Sequence, residues 1–219
     1  MFKNKILVAS LFMLCFNLIG SFLLFLQPLR EFVLALTPIN LIAVLIFFLW
    51  ANSDYSIKFF KTLLLIYVIG IFIEVLGVNL KIIFGEYFYG KTLGYKLLGA
   101  PLVIGVNWLT LSLASYGISR YIFRQKMLIV LFASVIMVLT DFIIEPLAET
   151  LDFWYWANNE IPFQNYVAWF FVSLIIQVIL VKTNFKLNIK LCLALLISQI
   201  LFFVIDLVFI NFPLNGNTP

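Results

Sequence analysis

Histidine is missing from this chain, and charge is scarce: 11% of its 219 residues are Asp, Glu, Lys or Arg. Without imidazole there is no Ser-His-Asp chemistry, no histidine-ligated haem or copper, and few of the usual zinc sites. No metal site is expected. The two cysteines, Cys15 and Cys192, stand singly inside apolar runs in no ligand spacing, so they read as core packing rather than disulfide or metal chemistry. Acid–base work is left to carboxylates, Tyr or Lys. The formal net charge of +4 does not call for nucleic acid as a partner, because the basic residues sit in short loops between apolar runs, where membrane topology accounts for them.

What the chain has in quantity is hydrocarbon. It is 64% hydrophobic and 18% aromatic, with a mean hydropathy of +1.14, values that no water-exposed domain of this size sustains. Apolar runs of spanning length cover residues 6–27, 32–50, 59–80, 97–119, 127–148, 165–181 and 190–210. Runs this long are helical, since a helix satisfies its own backbone in lipid. The expected fold is all-α: a single integral-membrane domain over residues 1–219, a polytopic bundle of about seven transmembrane helices. The first run is too long for a signal-peptide core and lacks a small-x-small cleavage site, so it reads as the first span. The amino-terminal side collects Lys3, Lys5, Lys58, Lys61, Arg120, Arg124, Lys126, Lys182, Lys186 and Lys190, against Arg30, Lys81, Lys91 and Lys96 on the other. That asymmetry predicts a cytoplasmic amino terminus in the cell (inner or plasma) membrane.

With this topology the third, fifth and seventh spans run outward, and each carries its acids late: Glu74, then Asp141 with Glu145, then Asp206. Asp141 and Glu145 stand four residues apart, one helical turn, and so share a face. Carboxylates buried in hydrocarbon are costly unless paired, protonated or hydrated, which makes such a pair a functional-site hypothesis. A shared polar cavity in the outer half of the membrane is expected. Structural pairing across helices is the other reading. Gly70, Glu74 and Gly77 share a face of the third span, and eight of the ten glycines lie from Gly70 to Gly117, allowing close approach by a neighbouring helix, a ligand or both. Pro146, directly after Glu145, predicts a kink or an end to the fifth span.

Two outer connections look alike. One runs Glu74, Tyr87-Phe88-Tyr89, Pro101, Asn107-Trp108; the other runs Glu145, Phe153-Trp154-Tyr155-Trp156, Pro162, Asn165, Trp169. Their spacings differ, so an internal repeat is only suggested. Interfacial anchoring accounts for part of these aromatics, and the rest suit a substrate end or a developing cation.

Three segments, Thr37 to Phe48, Glu74 to Trp108 and Thr140 to Phe170, resemble the bacterial carotenoid-biosynthesis membrane proteins of the carotenoid 1,2-hydratase (CruF-type) family. The resemblance covers the second to sixth spans. It implies addition of water across the terminal 1,2 double bond of an acyclic carotenoid end, as in lycopene or gamma-carotene, with no redox cofactor. The partners are then a carotenoid dissolved in the bilayer and water; homo-oligomerisation stays open.

The catalytic residues follow from the physical reading, not from the resemblance. Protonation of C2 leaves a tertiary cation at C1 that water captures, a step requiring an acid and a placed water. Two close carboxyls tend to share one proton, so one of Asp141 and Glu145 serves as the acid while its partner, or Glu74, deprotonates the water. Asp141, deeper in its span, is the preferred donor. Trp154 and Trp156 are candidates for cation stabilisation and Asn79 and Asn107 for water orientation, with Trp108 and Asp206 also placed among the substrate-binding residues. Rival readings are a lycopene cyclase, in which an internal double bond captures the same cation, a proton-coupled carrier, and a pigment-binding protein. A retinal protein is excluded, because the last span, Leu191 to Ile210, has no lysine for a Schiff base.

Overall fold

The start and stop signals of the helices are local. Ser56 accepts a hydrogen bond from the Phe59 amide (3.1 Å) at a helix start, Pro28 and Pro38 fall in first turns, and Lys81 and Asn184 end helices in the left-handed conformation (φ 60° for each). In a computed structural model, which describes residues 2–52 and 56–211, these signals bound α1 (Phe2–Leu24), α2 (Gln27–Ala35), α3 (Thr37–Ala51), α4 (Ile57–Leu80), α5 (Ile104–Ile122), α6 (Lys126–Ala148), α7 (Phe163–Thr183) and α8 (Ile189–Asn211). The fold is an all-α bundle. Four short strands, β1 (Tyr87–Tyr89), β2 (Lys96–Leu97), β3 (Ala100–Pro101) and β4 (Trp154–Trp156), lie in its connections.

Of the seven apolar spans expected, length and apolarity alone identify five or six. Among the described residues five helices, α1, α4, α6, α7 and α8, are long and apolar enough to cross a membrane, and α2 with α3 makes a sixth if that pair, bent by 58°, is one span. The helix α5 falls outside this set for a physical reason. Every residue from Ile104 to Ser119 is buried, with α3, α4, α6, α7 and α8 packed around it. A helix enclosed by protein can carry Asn107, Thr110, Ser112, Ser115 and Ser119; two of their hydroxyls return to backbone carbonyls one turn back (Thr110 Oγ1 to Val106 O, 3.0 Å; Ser112 Oγ to Trp108 O, 2.6 Å). The run expected at 97–119 therefore begins as a helix only at Ile104, after the β2–β3 hairpin. The outer faces have the opposite character, with Leu7, Ile19, Phe72, Phe142, Phe171 and Ile175 all exposed. Large apolar side chains outside and polar ones within fit a multi-pass membrane protein.

The two ends of the bundle differ. At one, Lys58 Nζ reaches the Thr183 carbonyl (3.3 Å), and Arg120 donates to Tyr116 Oη (2.8 Å) and to Asn184. At the other, β1 and β4 pair antiparallel, with Tyr87 opposite Trp156, Phe88 opposite Tyr155 and Tyr89 opposite Trp154. The two aromatic connections that look alike in sequence are thus one ribbon. Side chains alternate along it: Phe88 and Tyr155 stack on its outer side (ring centroids 5.1 Å apart), while the other four rings turn towards the helices.

Two local expectations are corrected. Helix α6 continues through Pro146 to Ala148, because a proline this near the end removes one bond from the final turn only. Cys192 is buried against Gly117, as core packing requires, but Cys15 is exposed on α1.

Candidate functional site

Glu74 lies in the last two turns of α4, and Asp141 and Glu145 in the last two turns of α6. All three are at most 5% exposed, and all line one small chamber beneath the ribbon. Glu74 Oε2 accepts from Tyr87 Oη and Tyr89 Oη (2.6 Å each), and its Oε1 from Trp108 Nε1 (2.8 Å). Glu145 Oε2 accepts from Trp154 Nε1 (3.1 Å) and Trp156 Nε1 (2.7 Å), and its Oε1 from Asn165 Nδ2 (2.9 Å). Each glutamate therefore meets three donors, two of them from one strand of the ribbon. Asp141 is treated differently. Its Oδ2 accepts from the same Asn165 Nδ2 (2.8 Å), but its Oδ1 is buried without a partner.

The glycines of α4 make this contact set possible. A Cβ on Gly70 would stand 2.8 Å from Trp108 Cβ, and one on Gly77 would stand 2.8 Å from Tyr87 Oη and 2.6 Å from the Phe84 ring. Both approaches are closer than a side chain tolerates, and both bring in groups that reach Glu74 or stand beside one that does. Helix packing and access to the carboxylate are here one feature. Trp108 in turn stacks on Trp169 (centroids 3.9 Å apart, 15° between planes), joining α5 to α7 across the chamber floor.

The chamber encloses about 20 Å³, enough for about one water molecule. Ile104, Asn107, Ile144 and Trp154 line it and also line a second cavity of about 180 Å³, walled mostly by apolar side chains of α1, α2, α3 and α8. One wall is shared between a polar cell and an apolar space. Among the described residues no three His, Cys, Asp or Glu side chains are arranged to hold a metal ion.

Of the residues singled out from sequence, Glu74, Asp141, Glu145, Trp154, Trp156, Asn107 and Trp108 meet here, the last through its bond to Glu74. Two do not. Asn79 donates to the carbonyls of Val75 (2.7 Å) and Leu98 (2.8 Å), fastening the β2–β3 hairpin to α4. Asp206 accepts from Ser21 Oγ (3.0 Å) and ties α8 to α1, so the expected convergence of four acids is one of three. Sequence reasoning missed Tyr87, Tyr89, Asn165 and Trp169 as site residues. The signal lay in the Tyr-x-Tyr and Trp-x-Trp alternation, which puts both members of each pair on one side of a strand.

Burial, and after it the neighbouring Glu74 carboxylate, pushes the Tyr87 and Tyr89 phenols above their ordinary range, so both stay protonated donors. The ribbon has its own anchor in Asp152, outside the helices. Its Oδ2 accepts from the amides of Lys91 (2.8 Å) and Thr92 (3.2 Å) and from Thr92 Oγ1 (3.3 Å), and its Oδ1 from Tyr155 Oη (2.9 Å). Partial burial opposes ionisation, but these bonds prevail and hold the carboxyl below its ordinary value of 3.8. A depressed folded-state value stabilises the fold above the unfolded-state value, and that contribution is lost as the pH falls through the folded one. Hydrogen exchange at the Lys91 and Thr92 amides is therefore expected to speed up, after correction for intrinsic rates, as the pH drops below about 4. Asp152→Asn should show raised exchange at neutral pH and lose that acid dependence; an unchanged profile in the variant would deny Asp152 the anchoring role.

A family model described as carotenoid biosynthesis protein matches residues 32–215, a stretch that holds the three carboxylates, the ribbon and the shared wall. Comparison with curated proteins gave no match, nor did comparison with solved structures. On that match, which spans most of its length, the chain belongs to the carotenoid biosynthesis protein family.

Proposed function

We propose that the protein is a cofactor-independent carotenoid hydratase, adding water across the terminal 1,2 double bond of an acyclic carotenoid end. The observation that carries this reading is the unequal treatment of the three carboxyls. Glu74 and Glu145 each receive three hydrogen bonds, the complement an anion requires, whereas Asp141 leaves one buried oxygen without a hydrogen-bond partner beside a cell the size of one water. Asp141 is the carboxyl free to carry and deliver a proton.

In the proposed reaction the alkene π pair takes the proton from Asp141 Oδ1 to form the C2–H bond, leaving the cation on tertiary C1. The faces of Trp154 and Trp156 stabilise that charge, and Asn107 at the shared wall orients the water. The water oxygen bonds to C1 and loses its proton to Glu145, or to Glu74. Alkene and water become a tertiary alcohol, with no electron transfer. Asn165, bonded to both Asp141 and Glu145, holds donor and acceptor in register, and Asp141 regains its proton from Glu145 through water. The ten-to-four excess of basic residues supports a cytoplasmic location for the basic end of the bundle, with the chamber towards the opposite leaflet.

Expression in a bacterium that accumulates lycopene or gamma-carotene, followed by mass analysis of its pigments, tests the reading. A gain of one water per modified end is expected. Conversion to a ring at unchanged mass would make the protein a cyclase, and unaltered pigment co-purifying with it would leave only binding.

A further inference from the structure

The apolar cavity beside the acid chamber is not uniformly apolar. Asn17 on α1, Asn40 on α3 and Gln199 on α8 face into it from three helices. Asn17 Nδ2 is committed to the Met13 carbonyl of its own helix (2.9 Å), which leaves its Oδ1 to meet Asn40 Nδ2 at 3.5 Å. Asn40 Oδ1 and Gln199 Oε1 are buried and have no partner at all, and Gln199 as a residue is 6% exposed. Buried carboxamide oxygens without donors are rare in folded proteins and call for an explanation. Both residues line the cavity, so a ligand lying there is next to them.

The rest of the lining defines what can lie there. Leu23, Leu24, Leu34, Leu41, Phe202 and Phe203 surround the carboxamides with hydrocarbon. A volume of about 180 Å³ compares with the roughly 150 Å³ that accommodates a benzene ring, so it takes the end of a branched hydrocarbon chain and no more. Among the described residues no Lys or Arg lines it, which disfavours a carboxylate or phosphate head. A hydroxyl both donates and accepts, so it satisfies a carboxamide in either orientation of its oxygen and nitrogen.

We propose that this cavity is a binding site for an isoprenoid chain end bearing a hydroxyl group. The hydroxyl is held by Asn40 and Gln199, in a cavity that Asn107 and Trp154 share with the acid chamber. The identification of that hydroxyl with the newly formed tertiary alcohol rests on the hydratase reading; the binding site itself does not. On that reading the product draws back from the acids into a cavity that recognises the oxygen it has just acquired, and the unreacted alkene finds no such partner there.

The test is native mass spectrometry of the purified full chain, equilibrated with equal concentrations of farnesol and farnesene, which share a chain length and differ in the hydroxyl. Bound farnesol is expected to exceed bound farnesene about ten-fold, the worth of one or two hydrogen bonds. Asn40→Leu with Gln199→Leu should bring the two to parity without abolishing farnesene binding. Gly20→Leu should reduce both, since its nearest neighbour is Phe202 at 3.8 Å and the added side chain enters the cavity. Gln199→Met, which keeps the side-chain length, carries the comparison should the double variant fail to insert. Parity in the unaltered protein, as a lipid-filled cleft would give, overturns the proposal. So does a preference that survives the substitutions, or no binding of either probe. A farnesol preference without any hydrated pigment in cells would remove the hydratase and leave this site standing; hydrated pigment with parity would do the reverse.

Discussion

Asp141→Asn is expected to lower the yield of hydrated pigment by about 10²–10⁴-fold, the range for loss of a general acid, while folded protein remains in the membrane. Asparagine preserves the shape and keeps an oxygen for Asn165 Nδ2, which donates to Asp141 Oδ2 at 2.8 Å. What it removes is the transferable proton at the one oxygen of the three carboxyls that accepts no hydrogen bond. Glu145→Gln makes a useful companion. It turns an amide nitrogen towards donors that need an acceptor, so it should affect both folding and rate, whereas the Asp141 variant should affect rate alone. Pigment yield measured against the amount of folded, membrane-extracted protein separates the two. A normal hydrated yield from Asp141→Asn would take Asp141 out of the mechanism.

The second large effect concerns stability. Glu74→Leu leaves Tyr87 Oη, Tyr89 Oη and Trp108 Nε1 facing a methyl group, all three buried or in residues at most 6% exposed. Orphaning a buried donor costs about 1–3 kcal/mol, and three are orphaned together here. The variant is therefore expected to lose about 3–5 kcal/mol, read as a lowered thermal midpoint in detergent and faster proteolysis in the 81–103 connection. Glu74→Gln keeps one acceptor oxygen and should lose less. Equal midpoints for Glu74→Leu and the unaltered chain would mean that the ribbon holds without its carboxylate.

Hydropathy alone revealed the bundle, because lipid and protein both select apolar outer faces. The expected span at α5 is set apart by its buried Asn, Thr and Ser residues, which answer to neighbouring helices rather than to lipid. The acid pair on α6 was legible because spacing along a helix fixes which side chains are neighbours. The partners of Glu74 and Glu145 were not. Tyr87 and Tyr89 reach Glu74 only because β1 pairs with β4, across a separation that no local pattern encodes. Asn79 misled for the converse reason: it has the residue type and the depth of a site group, but the hairpin carbonyl of Leu98 claims it. Asp206 lies at the expected height on α8 yet turns to Ser21, since height along a helix says nothing about azimuth.

The ribbon of β1 and β4 makes the reading frame of two short loops a chemical variable. Slipping either strand by a single position would rotate Phe88 or Tyr155 to the inside and send a carboxylate's two donors out. Among the described residues, the connections at the basic end carry no donors to the acids and are under no such constraint. Length changes in the ribbon's loops would thus decide which donors reach the carboxylates, although those loops lie outside the helices that carry the acids.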